Sequence, residues 1–138
     1  MATQTDIADV PKTPSSIVVE LGVGESSFGV IADGTPVSMT HGPQGGQHVW
    51  ASVRLRDEGF GFVQVNLTSR YVDTGELAGE SSGWMAELST PMEGMRTHAG
   101  MKNYVSSLTR PRLVLLRAEV VTPDGRHGAD ERTVMLSP

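Results

Sequence analysis

Cysteine is absent from the 138 residues. This removes disulfides, thiol nucleophiles and thiolate metal sites together, and it leaves the compartment open, because an oxidising location permits cysteine without requiring it. Aromatic side chains make up only 5% of the chain, so a core must be built mainly from Val, Leu, Ile and Met. Lysine is scarce too: nine of the eleven basic residues are Arg, and the formal net charge is -5. A sequence-independent hold on nucleic acid needs clustered cations that release counterions; no basic cluster is present, and nucleic acid is excluded as a partner class. No apolar run approaches the length that spans a bilayer, so no transmembrane segment is expected. Met1 to Val10 has neither the basic region nor the apolar stretch of a signal peptide. The expectation is an extracytoplasmic protein (periplasm, cell surface or secreted) if a leader was removed, and a cytoplasmic one otherwise.

What the chain has in quantity is turn chemistry. Sixteen Gly and eight Pro interrupt short apolar segments, the composition of many strands joined by tight turns. The length suits one domain without staples. Residues 1 to 16 are polar, carry Pro11 and Pro14 and show no period, which predicts a flexible N-terminal arm ahead of a single domain over 17 to 138.

From Ser16 a two-residue period sets in. Ile17, Val19, Leu21 and Val23 share one face of a first strand. Asp33-Gly34 between short apolar runs predicts a tight turn in a hairpin. In His48 to Arg56, the set Val49, Ala51, Val53, Leu55 should face the core, and His48, Trp50, Ser52, Arg54, Arg56 the solvent or a partner. Val63, Val65 and Leu67 alternate with Gln64, Asn66 and Thr68, and this segment is expected to pair antiparallel with the preceding strand. Residues 73 to 109 are the least readable, fitting a short helix or a strand. Val114, Leu116, Ala118 and Val120, then the Pro123-Asp-Gly turn, then Glu131 to Leu136, predict a closing hairpin. With no sustained helical period and no internal repeat, the fold class is all-β: a sandwich of two antiparallel sheets.

Val19-Glu-Leu-Gly-Val-Gly-Glu25, Phe28, Asp33-Gly34, Gly42-Pro43-Gln44-Gly45-Gly46, His48 and Trp50 together resemble a family of small proteins from myxobacteria and relatives, many of them predicted lipoproteins. The terminal strand, Asp-Gly turn and strand extend the resemblance over most of residues 17 to 136. It implies an immunoglobulin-like β-sandwich outside the cytoplasm, and it brings no established reaction, cofactor or catalytic residues. Family members carry a leader and a lipid-bearing cysteine, and neither stands in the 138 residues.

Four constellations bear on chemistry. Gly79-Glu80-Ser81-Ser82-Gly83 fits the Gly-x-Ser-x-Gly pattern of a nucleophile elbow. That elbow needs a strong strand before it and a helix after it; neither is apparent, so the motif reads as a loop and a hydrolase around Ser81 is the least favoured function. Gly22-Val-Gly24 lacks the third glycine and the lysine of a phosphate loop and reads as a strand end. His41 and His48 bracket the glycine-rich turn and are candidate Cu or Zn ligands if His98 or His127 joins them, although their spacing matches no standard metal pattern. Trp50 with His48, Arg54 and Arg56 has the composition of a contact surface, on which aromatic and Arg residues dominate binding energy; an indole face also accepts a sugar ring. The sequence therefore points to a non-enzymatic binding or structural module without a cofactor, acting through a protein partner or self-assembly, with a glycan as another ligand class. A histidine-based metal-binding protein is the alternative.

Overall fold

The computed structural model describes residues 16 to 42, 46 to 106 and 108 to 138. Ten strands form: β1 (Val19–Val23), β2 (Gly29–Val30), β3 (Thr35–Ser38), β4 (Thr40–His41), β5 (Gln47–Arg56), β6 (Phe62–Tyr71), β7 (Leu77–Glu87), β8 (Met95–Val105), β9 (Arg112–Val121) and β10 (His127–Ser137). No helix occurs among the described residues. One sheet runs β2-β1-β5, with β4 continuing beside β5 and β8 pairing along β5; the other runs β3-β10-β9-β6-β7. All pairs are antiparallel except β3 with β10. The leading segment thus contributes to both sheets, first β1 against β5 and then β3 alongside the last strand. With the β6-β7 and β9-β10 hairpins, this is the strand order of an immunoglobulin-like sandwich.

The core forms between the sheets from the residues that alternate. Val49, Ala51, Val53 and Leu55 of β5, Val63, Val65 and Leu67 of β6, and Val114, Leu116, Ala118 and Val120 of β9 belong to one buried cluster. Each fully buried Val or Leu contributes about 1.5–3 kcal/mol, which is how a chain with few aromatics holds two sheets together. Polar links join the sheets at the side. The Asp130 carboxylate on β10 accepts the Leu21 N–H of β1 at 2.8 Å and the Arg132 Nε–H at 2.9 Å.

Two expectations about strand pairing change. The Asp33-Gly34 turn forms as expected, closed by Thr35 N–H on the Ala32 carbonyl at 3.1 Å, but its flanking strands do not pair: β2 joins β1 and β3 joins β10. The turn is a crossing between sheets. The same holds for β5 and β6, which lie in opposite sheets. Alternation shows that two strands share a core, and it is silent on whether they sit side by side or face to face. The closing hairpin is present, with β9 and β10 paired from Arg112–Leu136 to Val121–His127.

Residues 73 to 109 hold two full strands, β7 and β8. Gly79 to Gly83 therefore lie inside β7 rather than in a loop. The N-terminal arm expected over 1 to 16 lies outside the described residues, apart from Ser16, which bridges His127.

Candidate interaction face

The outer side of the β5-β8 pair carries the residues that the sequence singled out. On β5 they are His48, Trp50, Ser52, Arg54 and Arg56; their cross-strand partners on β8 are Tyr104 for His48, Lys102 for Trp50, Thr97 for Arg54 and Met95 for Arg56. A register shift between Ala51 and Val53 sets Ala99 and Gly100 opposite Ser52, a bulge that bends the strand locally.

The loop between β1 and β2 lies over this bulge. Gly24 N–H donates to the Trp50 carbonyl at 2.9 Å, and Gly100 N–H donates to the Gly24 carbonyl at 3.0 Å. A side chain at Gly100, whose φ is +82°, would bring its Cβ within 2.8 Å of the Glu25 carbonyl oxygen. Glycine is required there by both backbone angle and space. Under this loop Ser52 is fully buried. Beside it, Phe28 stacks with the Arg54 guanidinium at 4.7 Å, and Arg54 bonds Glu20, its cross-strand partner, at 3.0 Å and 2.5 Å.

At the other end, His48 is wedged between two aromatic rings. Its ring meets Trp50 edge-on at 4.6 Å and Tyr104 at 6.1 Å, and the Lys102 ammonium sits 5.8 Å from the Trp50 ring centre, a cation–π approach. His48 is only 3% exposed, and its Nε2 has no hydrogen-bond partner among the described residues. Burial, followed by the charge of Lys102, holds the imidazole pKa below its ordinary value; Glu25 opposes this and His41 adds to it.

The expectation that the whole alternating set of β5 meets solvent or a partner is thus corrected. His48 and Ser52 are buried, Trp50 and Arg54 are half-buried, and Arg56 is exposed. Pleat alternation fixes which side of the sheet a residue takes, whereas a loop from elsewhere in the chain decides whether that side is wet. Tyr104, Lys102, Met92 and Met95 extend the face and were not anticipated. The period was there to read, since Met101, Asn103 and Val105 are buried while Tyr104 is exposed, but Gly, Ser and Thr on either side obscured it.

The metal reading loses its geometry. Thr40 pairs with His48, and His41 pairs with Gln47, so the two imidazoles take opposite faces of the sheet. His98 pairs with Val53, and its Nδ1 lies 2.7 Å from the Glu87 carbonyl oxygen. His127 sits beside Glu119, 3.8 Å away, and next to Ile17, toward the Leu55 end of β5. Among the described residues no three His, Asp or Glu groups converge as metal ligands. The glycine-rich turn links β4 to β5, with Gly42 N–H donating to the Gly46 carbonyl at 2.7 Å; Pro43, Gln44 and Gly45 lie outside the described residues.

Ser81 does not sit on an elbow. It pairs with Leu67 inside β7, and its hydroxyl accepts the Trp84 indole N–H at 2.6 Å. Gly83, at φ +77°, marks a second register shift, capped where its N–H donates to Asn66 Oδ1 at 2.8 Å.

Fold and face together define the class: an immunoglobulin-like β-sandwich with an aromatic, partly exposed strip on one sheet. No protein-family model matches the sequence, and no curated protein matches it significantly. Among solved structures, similarity is found to CopC from Methylosinus trichosporium OB3b, at 15% identity and a TM-score of 0.38, covering 78% of this chain and 86% of that one. It is also found to the CooA pilin subunit from enterotoxigenic Escherichia coli, at 10% identity and 0.41, covering 86% and 97%. The N-terminal domain of PorA follows at 9% and 0.34, again covering 86% and 97%. Scores this low carry no argument about what the chain binds, and the fold assignment stands on its own strand order.

Proposed function

We propose that this protein is a non-enzymatic binding or structural module, acting outside the cytoplasm, whose work is protein-protein contact through the outer face of the β5-β8 pair. The observation that carries the reading is the make-up of that face. Trp50, Tyr104, Arg54, Met92 and Met95 are of the residue types enriched in protein interfaces, and Tyr104 and Met92 are 45% and 76% exposed. The buried His48 between the rings holds Trp50 and Tyr104 in fixed positions, which lowers the ordering cost of docking.

Placing a photo-crosslinking residue at Tyr104 in the native host tests this against the same probe at Gln64, an exposed position on the other sheet. The expected result is a discrete adduct from position 104, with the chain itself or a single partner, that Trp50→Ala diminishes. Equal or absent crosslinking at the two positions overturns the reading. A glycan is the other ligand an indole face suits; retention on immobilised glycans that Trp50→Ala abolishes, without a protein adduct, replaces protein contact with sugar binding.

A further inference from the structure

A concavity of about 370 Å³ opens on the second sheet, where the turn after β6 meets the start of β9; Val72, Asp73, Arg110, Pro111, Arg112, Leu113 and Met135 line it. Its size falls within the range of small-molecule sites, roughly 300–1,000 Å³. The wall is apolar. Leu113 and Met135 are direct cross-strand partners, and Val72 N–H donates to the Leu113 carbonyl at 3.1 Å. Val72 and Leu113 stay 49% and 40% exposed, although both belong to residue types that normally seek cover.

The charges around it do not cancel. Arg112 is spoken for: its Nη2 donates to Asp73 at 2.8 Å and its guanidinium lies 3.6 Å from the centre of the Tyr71 ring. That bond, first among the causes, lowers the Asp73 carboxyl pKa, so Asp73 enters as an ion already neutralised by its neighbour. The Arg112 Nε–H is buried with no acceptor among the described residues. Arg110 is exposed at the rim and has neither an ion pair nor a hydrogen bond among the described residues. The sum is one free positive charge beside an apolar hollow, in a chain whose net charge is -5.

We infer that this hollow binds a small organic anion, a carboxylate carried on a short aliphatic body, with Arg110 taking the carboxylate and Val72, Leu113 and Met135 the hydrocarbon. A guanidinium suits this task because its planar donors match a carboxylate bidentately and it stays charged at every accessible pH.

Hexanoate is the probe, with hexanol as its uncharged counterpart, and methyl NMR of the full chain is the readout. Hexanoate is expected to shift the Val72, Leu113 and Met135 methyl signals saturably, with a dissociation constant on the order of 1 mM. Hexanol, or hexanoate with Arg110→Gln, should bind about tenfold more weakly, the loss of one charged hydrogen bond. Arg110 is exposed, so the variant leaves the fold intact, which the unperturbed core methyl signals verify. Overturning results are hexanol binding as tightly as hexanoate, an unchanged constant in Arg110→Gln, or shifts that rise without saturation.

Discussion

His48 condenses the residue-scale physics of this protein. Its ring is buried between Trp50 and Tyr104, so the folded state disfavours the charged imidazolium. The folded pKa lies below the ordinary 6.5, and the unfolded chain binds the proton more tightly. The contribution to stability is therefore complete above about pH 6.5 and is lost as pH falls from there through the folded pKa. Urea midpoints at about pH 7.5 and about pH 5 measure this window. The native protein should lose more stability between them than His48→Gln, whose side chain does not titrate; the other three histidines are common to both proteins and drop out. Equal losses would show that the wedge does not exclude the proton.

At the scale of elements, the informative contact is between β7 and β8, which belong to different sheets. Ser106 N–H donates to the Ala78 carbonyl at 2.7 Å, and the two backbones come so close beside it that a Cβ at Gly79 would overlap the Tyr104 carbonyl oxygen. The glycine that begins the elbow-like motif thus serves close approach at the rim of the sandwich. Gly79→Ala is expected to destabilise the fold by about 2–4 kcal/mol in urea unfolding, since backbone must move to admit one methyl group. Gly61 is the internal comparison: nothing stands within 4 Å of a Cβ there, and Gly61→Ala should stay within about 0.5 kcal/mol. If the two variants unfold alike, the strands are not pressed together at that point.

For the whole molecule, what matters is how the two sheets are held in relation to one another. The apolar core of mainly Val, Leu and Ala supplies most of the attraction, and directional polar contacts between the sheets help to set lateral position. Asp130 makes such contacts. It satisfies the Leu21 N–H across the gap between sheets while bonding Arg132 beside it, and Arg132 in turn donates to the Ile31 carbonyl at 3.2 Å. Asp130→Ala leaves these donors unpaired and should cost about 1–3 kcal/mol by chemical denaturation. By contrast Glu131, whose pair with Arg117 is at 3.2 Å with both side chains more than 40% exposed, should tolerate replacement by Ala at under about 0.5 kcal/mol. A null effect of Asp130→Ala would show that this carboxylate does not tie the sheets together.

The sequence by itself determined β5, β6 and β9 and their inward faces. In β6 and β9 each residue called inward is buried, because a two-residue period and a one-sided core leave a strand only one way to lie. It also determined the turns at Asp33-Gly34 and Pro123-Asp-Gly, because their backbone angles are local. Only the tertiary structure decided which strands pair, that Asp33-Gly34 crosses between sheets, that His41 and His48 part to opposite faces, and that a loop from residues 24 to 28 covers Ser52. Those outcomes depend on contacts between residues distant in the chain, and a local period carries no record of which distant segment arrives.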